Sequence, residues 1–307
     1  MKRVNKRVTL IVGLTLSALL LAGCGAVPET PQAVYEYRDS GVDSDAWVKV
    51  PAGEFIKGQY DHEGMVDHDY EIMVTEVTNA QYAKYLGEAL TAGTIKIVDG
   101  VVMGYYPGDE FREGKHEVEI TAKDYPHMDL NDVANRITYD GTNFGVIDGY
   151  ENHPVTMVTW FGSKAYADFY GYRLPTEDEW EKAARGTDNR PYPWGETVGH
   201  SNLNYYHSTD PFETEGGYSD TTPVGFYNGK TYGDFQTIDS KSPYGAYDMA
   251  GNVGEWTADV HHYIHDRIIR GGSKASYEID SRIWKDNAAQ PEYASPSTGF
   301  RCVRDVK

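Results

Sequence analysis

Cysteine is the scarcest residue of this sequence. Only two occur among 307 residues, Cys24 and Cys302, which excludes a framework of several disulfides. Cys24 directly follows Leu21-Ala22-Gly23, a pattern typical of a lipobox, so its thiol is expected to carry the lipid of a lipoprotein. Cys302 then has no partner within the chain, and stability has to come from packing rather than from cross-links.

Apolar runs are also short. The run at residues 8–21 follows four basic residues. A helix needs about 20 apolar residues to cross a bilayer, and this run is shorter than that. The pattern is typical of a signal peptide, residues 1–23, that is removed before Cys24. We therefore expect an exported lipoprotein, held on an outer-membrane, periplasmic or cell-surface lipid layer through acylated Cys24, without spanning it.

Acidic residues outnumber basic residues in this sequence. Lys and Arg total 28 and Asp and Glu total 47, so the formal net charge is −19. Removal of the signal peptide takes away four basic and no acidic residues, and 24 minus 47 gives −23 for the processed chain. Nucleic acid and anionic lipid surfaces are therefore disfavoured as partners. The acidic surface fits either solubility or the binding of cations and basic peptides.

The composition predicts one large domain after a tether. Residues 24–45 contain Pro28 and Pro31 without an apolar period, and we interpret them as the lipidated N-terminus and a linker. Residues 46–304 are long enough for one domain, with an extra insertion at about 91–150. The 32 glycines, 25 tyrosines and six tryptophans indicate irregular backbone packed by aromatic side chains. These features predict an α+β domain that is rich in loops and has few short helices.

Capping residues predict two of the helices. Capping boxes occur at 78–81 and 176–179, each ahead of apolar residues at helical spacing. Gly87 and Gly186 are expected to end these helices. A third short helix is expected over 162–170. Short strands are expected at 47–51, 54–57, 71–75, 268–270 and 299–304.

A series of motifs then occurs in one order along the chain. The motifs are Val50-Pro51-Ala52-Gly53-Glu54-Phe55, Glu76-Val77-Thr78-Asn79-Ala80-Gln81-Tyr82, His153-Pro154-Val155 leading to Trp160, Tyr172-Arg173-Leu174-Pro175-Thr176-Glu177-Asp178-Glu179-Trp180-Glu181, Tyr192-Pro193-Trp194-Gly195, Tyr247-Asp248-Met249-Ala250-Gly251-Asn252-Val253-Gly254-Glu255-Trp256, Arg270-Gly271-Gly272-Ser273 and Gly299-Phe300-Arg301-Cys302. Together they resemble the formylglycine-generating enzyme family, whose members are also called sulfatase-modifying factors. The resemblance covers about 47–304 and implies a C-type-lectin-like α+β fold.

The resemblance fails at the residues that carry the family's oxidation reaction. The oxidases of the family place two copper(I)-binding cysteines three and eight positions after the serine of Arg-Gly-Gly-Ser. Here those positions hold Ser276 and Ser281. Copper(I) is a soft ion that thiolates select, and a neutral hydroxyl cannot replace a thiolate. We therefore expect no copper, and we expect Cys302 to be a small buried residue rather than a substitute ligand.

The corresponding cleft is still expected to bind a ligand. By the resemblance, Ser273, Ser276 and Ser281, together with Arg282 and Trp284, would line the place where the family holds its substrate. Hydroxyl and aromatic groups in a concave site suit a peptide, a protein segment or a glycan. Our leading hypothesis is a noncatalytic ligand-binding or assembly module of the cell envelope.

Calcium is the expected cofactor. The family's calcium sites include the segment of Asn252, Val253 and Glu255, whose side-chain and carbonyl oxygens suit this hard cation. The alternative is that Asn252 caps a turn and Glu255 pairs with a nearby cation. A second family site would use Asn202 and the carbonyl of Leu203, but the acid that completes it is replaced by Gly216 in this sequence. Asp220 would have to substitute for that acid.

A metal-dependent oxidoreductase is the alternative function. His261, His262 and His265 are close together in the sequence, and on a helix His261 and His265 would share one face. Such a relocated centre could hold iron, as in the nonheme-iron members of the same family. Surface histidines in a loop are the simpler interpretation of the same segment.

Overall fold

The computed structural model describes residues 30–113, 116–214, 218–261 and 265–306. Its helices are α1 (Gln32–Glu36), α2 (Asn79–Ala92), α3 (Trp160–Phe169) and α4 (Glu177–Arg185), with a 3₁₀ helix at Glu278–Ser281. Its strands are β1 (Trp47–Val50), β2 (Gly53–Lys57), β3 (His62–Val66), β4 (Tyr70–Met73), β5 (Ile95–Val98), β6 (Val101–Tyr106), β7 (Asp109–Glu113), β8 (His116–Ile120), β9 (Lys123–Asp129), β10 (Ile137–Tyr139), β11 (Phe144–Val146), β12 (Glu213–Thr214), β13 (Tyr218–Ser219), β14 (Thr231–Tyr232), β15 (Phe235–Gln236), β16 (Gly254–Val260), β17 (Arg267–Arg270), β18 (Asp286–Ala289), β19 (Thr298–Gly299) and β20 (Val303–Asp305). The α+β prediction is confirmed.

Three small sheets build the frame, and the remaining strands form hairpins. The sheet orders are β18-β17-β16-β19, β1-β4-β20 and β5-β6-β9. In the first sheet β16 pairs antiparallel with β17 and parallel with β19, while β18 pairs with β17 and lies at an edge. This sheet positions the site described below, because β17 leads directly into the Arg-Gly-Gly-Ser turn.

Side-chain caps determine where α2 and α4 begin. The Thr78 hydroxyl accepts the backbone N–H of Gln81, and the Thr176 hydroxyl accepts that of Glu179, with the reciprocal side-chain bonds of a capping box in both. Both predicted starts are confirmed, as is the end of α4 before Gly186. The predicted end of α2 at Gly87 is wrong. The helix continues to Ala92, because the following turn packs in the core.

The Gly299–Arg304 segment also differs from the prediction. A single strand was expected, but two short strands occur, β19 and β20, separated by residues 300–302. β19 pairs with β16 and β20 pairs with β4, so the segment passes from one sheet to another. At the crossing, Phe300 and Arg301 are both fully buried.

Aromatic side chains fill the largest hydrophobic cluster. Tyr82 and Tyr85 of α2 contact Tyr166 of α3, with ring centroids 5.8 and 5.3 Å apart. Phe300 packs edge-on against Tyr166 at 5.3 Å. Such rings bury large apolar areas and favour edge-on contacts. The cluster also contains Ile95, Val102 and Met128 from the segment 91–150, which packs on α2 and α3.

The described residues before β1 are folded onto the domain. A linker was expected over 24–45, yet Ala33 and Val34 of α1 are buried in a cluster with Tyr150 and Phe226. The packed region therefore begins upstream of residue 46. The sequence did not reveal this, because two small apolar residues beside Pro31 carry no detectable period.

Candidate functional site

The turn after β17 lies directly against the 3₁₀ helix that follows it in the chain. Gly271 and Gly272 both have left-handed backbone, with φ of 96° and 69°. A Cβ on Gly272 would lie 2.5 Å from the hydroxyl oxygen and 2.9 Å from the Cα of Ser281. Glycine is therefore required here both by conformation and by the close approach of the 3₁₀ helix.

A cavity of about 690 Å³ opens beside this turn. Ser273 and Ser276 line it, and their hydroxyl oxygens lie 3.2 Å apart. The Ser276 hydroxyl also accepts the backbone N–H of Ser273 at 3.1 Å. The edge strand β18 and the exposed rings of Tyr277 and Tyr293 form other parts of the wall. We call this cavity the cleft.

Ser281 lies behind the cleft rather than in it. Its side chain is fully buried, and its hydroxyl has no hydrogen-bond partner within the described part of the chain. Ser276 is accessible and Ser281 is not, although the resemblance places both at the copper ligands. Two neutral hydroxyls in these surroundings provide no thiolate for copper(I).

Arg282 and Trp284 do not belong to the cleft, so this part of the predicted set is corrected. Both line a separate cavity of about 510 Å³ together with Tyr192. The Trp284 ring lies between two guanidinium groups, 5.3 Å from that of Arg185 and 5.8 Å from that of Arg282. The physical reason is that the chain leaves the 3₁₀ helix toward α4, where Arg185 attracts the indole ring.

The Asn252 to Glu255 segment forms a buried polar centre next to the cleft. The Glu255 carboxylate is fully buried and accepts hydrogen bonds from Trp180 Nε1 at 2.8 Å and from the Arg301 guanidinium at 2.7 Å to each oxygen. Asn252 has a φ of 52°, and its Oδ1 accepts the backbone N–H of Thr222 at 3.0 Å. Glu255 is thus paired with a cation, as the alternative interpretation predicts, whereas the Asn252 side chain bonds a residue 30 positions away rather than capping a local turn.

Two further carboxylates lie in the same centre, and the sequence analysis missed them. Glu76 is fully buried and accepts Asn252 Nδ2 at 3.2 Å, and its carboxyl group also hydrogen-bonds to that of Asp248. Burial and the neighbouring Asp248 carboxylate raise the pKa of Glu76 well above its ordinary value, and burial raises the pKa of Asp248. The sequence did contain a signal for Glu76, because it is an acidic residue within the mostly apolar run 72–77.

The charges of this centre do not balance. Glu76, Asp248 and Glu255 face the single guanidinium of Arg301. Two protons or one divalent cation would neutralise the remaining charge. Among the described residues, no three His, Cys, Asp or Glu side chains converge as metal ligands, so a calcium ion here would need carbonyl oxygens, such as that of Val253, beside the carboxylates of Asp248 and Glu255.

The second calcium site that the resemblance implies is less compatible with the structure than the first. The Asn202 side-chain oxygen accepts the backbone N–H of Gly199 at 3.1 Å, and Leu203 is buried in a small apolar cluster. Gly216 lies outside the described residues. Asp220, its proposed substitute, instead bonds to Arg136 at 3.1 Å and to the Tyr150 hydroxyl at 2.7 Å. The Asp220 carboxylate is therefore already bound by two other side chains and does not replace the missing acid.

Of the three histidines of the alternative function, the two that the structure describes, His261 and His265, do not line the cleft. His265 is buried, with its Nε2 3.2 Å from Asp109 Oδ1, and Arg267 contacts the other oxygen of Asp109 at 2.5 Å. His261 donates its backbone N–H to the carbonyl of Asp266. His262 lies outside the described residues.

The structure describes one of the two cysteines, Cys302, and not the other, Cys24. Cys302 is fully buried, as expected, and burial raises the pKa of its thiol well above the ordinary value. Cys24 and the signal peptide lie outside the described residues. In the part of the chain that the structure covers, no helix combines the length and apolar character needed to cross a bilayer.

Fold and cleft together define a class: a C-type-lectin-like α+β domain whose cleft opens beside an Arg-Gly-Gly-Ser turn. Residues 33–306 match the sulfatase-modifying factor enzyme 1-like domain, and the chain belongs to this family. The resemblance noted in the sequence is thereby confirmed.

Relatives with curated names illustrate the breadth of the family. The chain is 30% identical over 288 residues to the serine/threonine-protein kinase pkn1 of Chlamydia caviae, covering 85% of this chain but 38% of the kinase. It is 29% identical over 298 residues to the formylglycine-generating enzyme of Mus musculus, covering 84% and 74%. The solved structure of PvdO from Pseudomonas aeruginosa shares the fold, with a TM-score of 0.53 at 24% identity, over 85% of this chain and 94% of PvdO.

Proposed function

We propose that this chain is a noncatalytic ligand-binding module of the cell envelope, anchored to a membrane through acylated Cys24. The observation that carries the proposal is that the cleft is open while both metal-ligand positions are serine. A cleft of about 690 Å³ falls within the usual range for ligand sites. The signal-peptide pattern and lipobox support the envelope location.

The cleft suits an extended peptide. One wall is the edge strand β18, which pairs only with β17 among the described strands. The backbone N–H of Ala288 points away from that pairing and donates to the side chain of Asn287 at 2.9 Å. An added peptide strand could take this N–H by displacing the Asn287 amide. Tyr277 and Tyr293 offer apolar surface for its side chains.

The charge of the cleft favours a neutral or basic peptide. Asp280 and Asp286 line the wall together with one cation, Lys285. The whole chain is acidic, with a formal net charge of −19, so long-range attraction also favours basic ligands. A glycan is the other ligand class that the cleft admits, and it would not depend on the strand edge.

A proline substitution tests the peptide proposal. Ala288→Pro removes the N–H that a peptide strand would use, and edge strands tolerate proline where the N–H is outside the ladder. Fluorescein-labelled peptides selected on the immobilised protein should lose at least tenfold in affinity, measured by fluorescence polarisation. The control Asn287→Ala keeps the N–H and should bind at least as well as wild type. Equal binding by all three proteins would reject strand addition.

Loss of the oxidase reaction has its own test. The purified protein should neither bind copper(I) at stoichiometric levels nor oxidise the cysteine of a sulfatase-derived peptide. Installing both cysteines, S276C with S281C, tests whether the scaffold can regain the metal. Turnover by the wild-type protein would overturn the noncatalytic proposal.

A metal-dependent oxidoreductase is the second candidate, because the His265 ring lies 3.2 Å from Asp109 Oδ1 and both are residue types that bind iron. Metal analysis of the purified protein decides between the two. Stoichiometric iron that disappears in H261A, H262A and H265A variants would favour the enzyme. Metal-free protein with an intact peptide site would favour the binding module.

A further inference from the structure

The described N-terminal residues hold the domain close to the position where the lipid would be attached. We call residues 32–46 the strap. Within it Val34 is fully buried and Ala33 is 5% exposed. Gly149, with a φ of 92°, lies under the strap, and a Cβ there would come within 2.7 Å of the Val34 side chain. The two segments therefore fit closely.

Hydrogen bonds fix the rest of the strap. The Ser40 hydroxyl donates to the carbonyl of Val224 at 2.6 Å, and the Asn152 side chain donates to the carbonyl of Arg38 at 3.0 Å. The Arg38 guanidinium binds both oxygens of Asp148 at 2.6 Å. The contacts involve parts of the chain more than 100 residues away, so the strap belongs to the tertiary structure.

Strap docking shortens the free tether. From Cys24 to Ala33 there are nine residue steps, which span at most about 30 Å when fully extended. A domain of about 270 residues has a radius of gyration of roughly 18 Å and is roughly 48 Å across. The tether is thus shorter than the domain. A free linker up to residue 46 would reach about 75 Å and would allow any orientation.

We infer that the tether keeps the face carrying α1 on the membrane side of the domain, so that the domain cannot turn its opposite face toward the membrane. This inference rests on the proposed acylation of Cys24. The face presents Tyr35, which is 45% exposed, and the β14–β15 hairpin, whose Tyr232 contacts Tyr37 with ring centroids 5.6 Å apart. Tyrosine is a residue that tolerates the membrane interface. The short tether, rather than charge attraction, sets the orientation.

Lipid-borne quenchers can measure this orientation. The full-length lipidated protein is placed on phosphatidylcholine vesicles that contain doxyl-labelled lipid. A bimane label is attached at Glu36→Cys on α1 or at Tyr60→Cys, an exposed position in the β2–β3 turn outside the strap. Cys302 is buried and Cys24 would be acylated, so the introduced thiol takes the label. Quenching at position 36 should exceed that at position 60 severalfold.

Two changes should remove the difference. Val34→Asp places a charge in the buried contact and releases the strap, whereas Gln32→Asp adds the same charge at an exposed position of α1 and should leave the difference intact. If V34D unfolds the domain, insertion of about 20 Gly and Ser residues between Thr30 and Pro31 lengthens the tether with the strap in place. This insertion should equalise quenching at the two positions.

The possible results distinguish a failure of the inferred orientation from a failure of the proposed lipid anchor. Vesicle flotation and the mass of the N-terminal peptide report whether the lipid is present. If the protein floats with the vesicles but shows equal quenching at positions 36 and 60, the inferred orientation is wrong and the proposed lipid anchor is supported. Protein that carries no lipid overturns both the anchor and this inference.

Discussion

Replacement of Arg301 by methionine keeps most of the side-chain volume and removes the charge at the buried centre. In the folded protein this guanidinium is fully buried. It donates to both oxygens of Glu255 and to the carbonyls of Met73, Val74 and Tyr247. Arg301→Met therefore removes one charge and leaves up to five acceptor atoms without that donor.

The expected cost follows from burial. Removing one partner of a buried ion pair typically destabilises a protein by about 3–5 kcal/mol, because the remaining charge stays desolvated. Glu76 and Asp248 also face this guanidinium, so its removal takes away the cation that they share with Glu255. Since domains are stable by about 5–15 kcal/mol, R301M should lose at least about a fifth of the free energy of unfolding.

Urea unfolding at pH 7, followed by tryptophan fluorescence, measures this loss. Arg304→Met is the matched control, because Arg304 lies on the surface, pairs with Glu71 at 2.6 Å and is 39% exposed in its side chain. Surface pairs contribute about 0–1 kcal/mol. A free energy of unfolding for R301M within about 1 kcal/mol of that for R304M would refute the charge argument.

Three further predictions concern local structure, pH and calcium. Thr176→Ala removes the cap of α4 and should destabilise the protein by about 1 kcal/mol in urea unfolding, and no change would mean that packing alone sets the helix start. Burial raises the pKa of Glu76 above its ordinary 4.5, so in chelator the contribution of this group to the free energy of unfolding should be complete below about pH 4.5 and should fall as the pH rises through the folded pKa. Glu76→Gln should remove this slope, whereas an unchanged slope would assign it to other groups. Millimolar calcium should raise the melting temperature of the wild type but not of Asp248→Asn, and identical melting in calcium and chelator would exclude the ion.

Local chemistry in the sequence was enough to predict several elements. Thr78 and Thr176 cap helices through side chains that bond three residues along the chain, so their effect does not depend on the rest of the fold. The family motifs implied the C-type-lectin-like α+β fold through the resemblance, because their identity and order can be read directly from the sequence. The loss of both cysteines was likewise visible at Ser276 and Ser281 without any coordinates.

Burial and contacts between distant residues were decided only by the tertiary structure. α2 passes Gly87 because Ala89 in the next turn is buried in the core, and this packing outweighs the cost of about 1 kcal/mol for a glycine inside a helix. The strap is ordered by partners far along the chain, such as Asp148.

The functional site likewise combines features that the sequence reveals with features that only the folded structure determines. The sequence by itself determined which chemical groups were present: serines in place of thiols, the acids Glu76, Asp248 and Glu255 within the family motifs, and two cysteines. Only the tertiary structure decided that Trp284 turns away from the cleft, that Ser281 lies behind it, and that Glu76 joins Glu255 around Arg301. The physical reason is that desolvation and charge pairing depend on distances through space, and those distances exist only after the chain has folded.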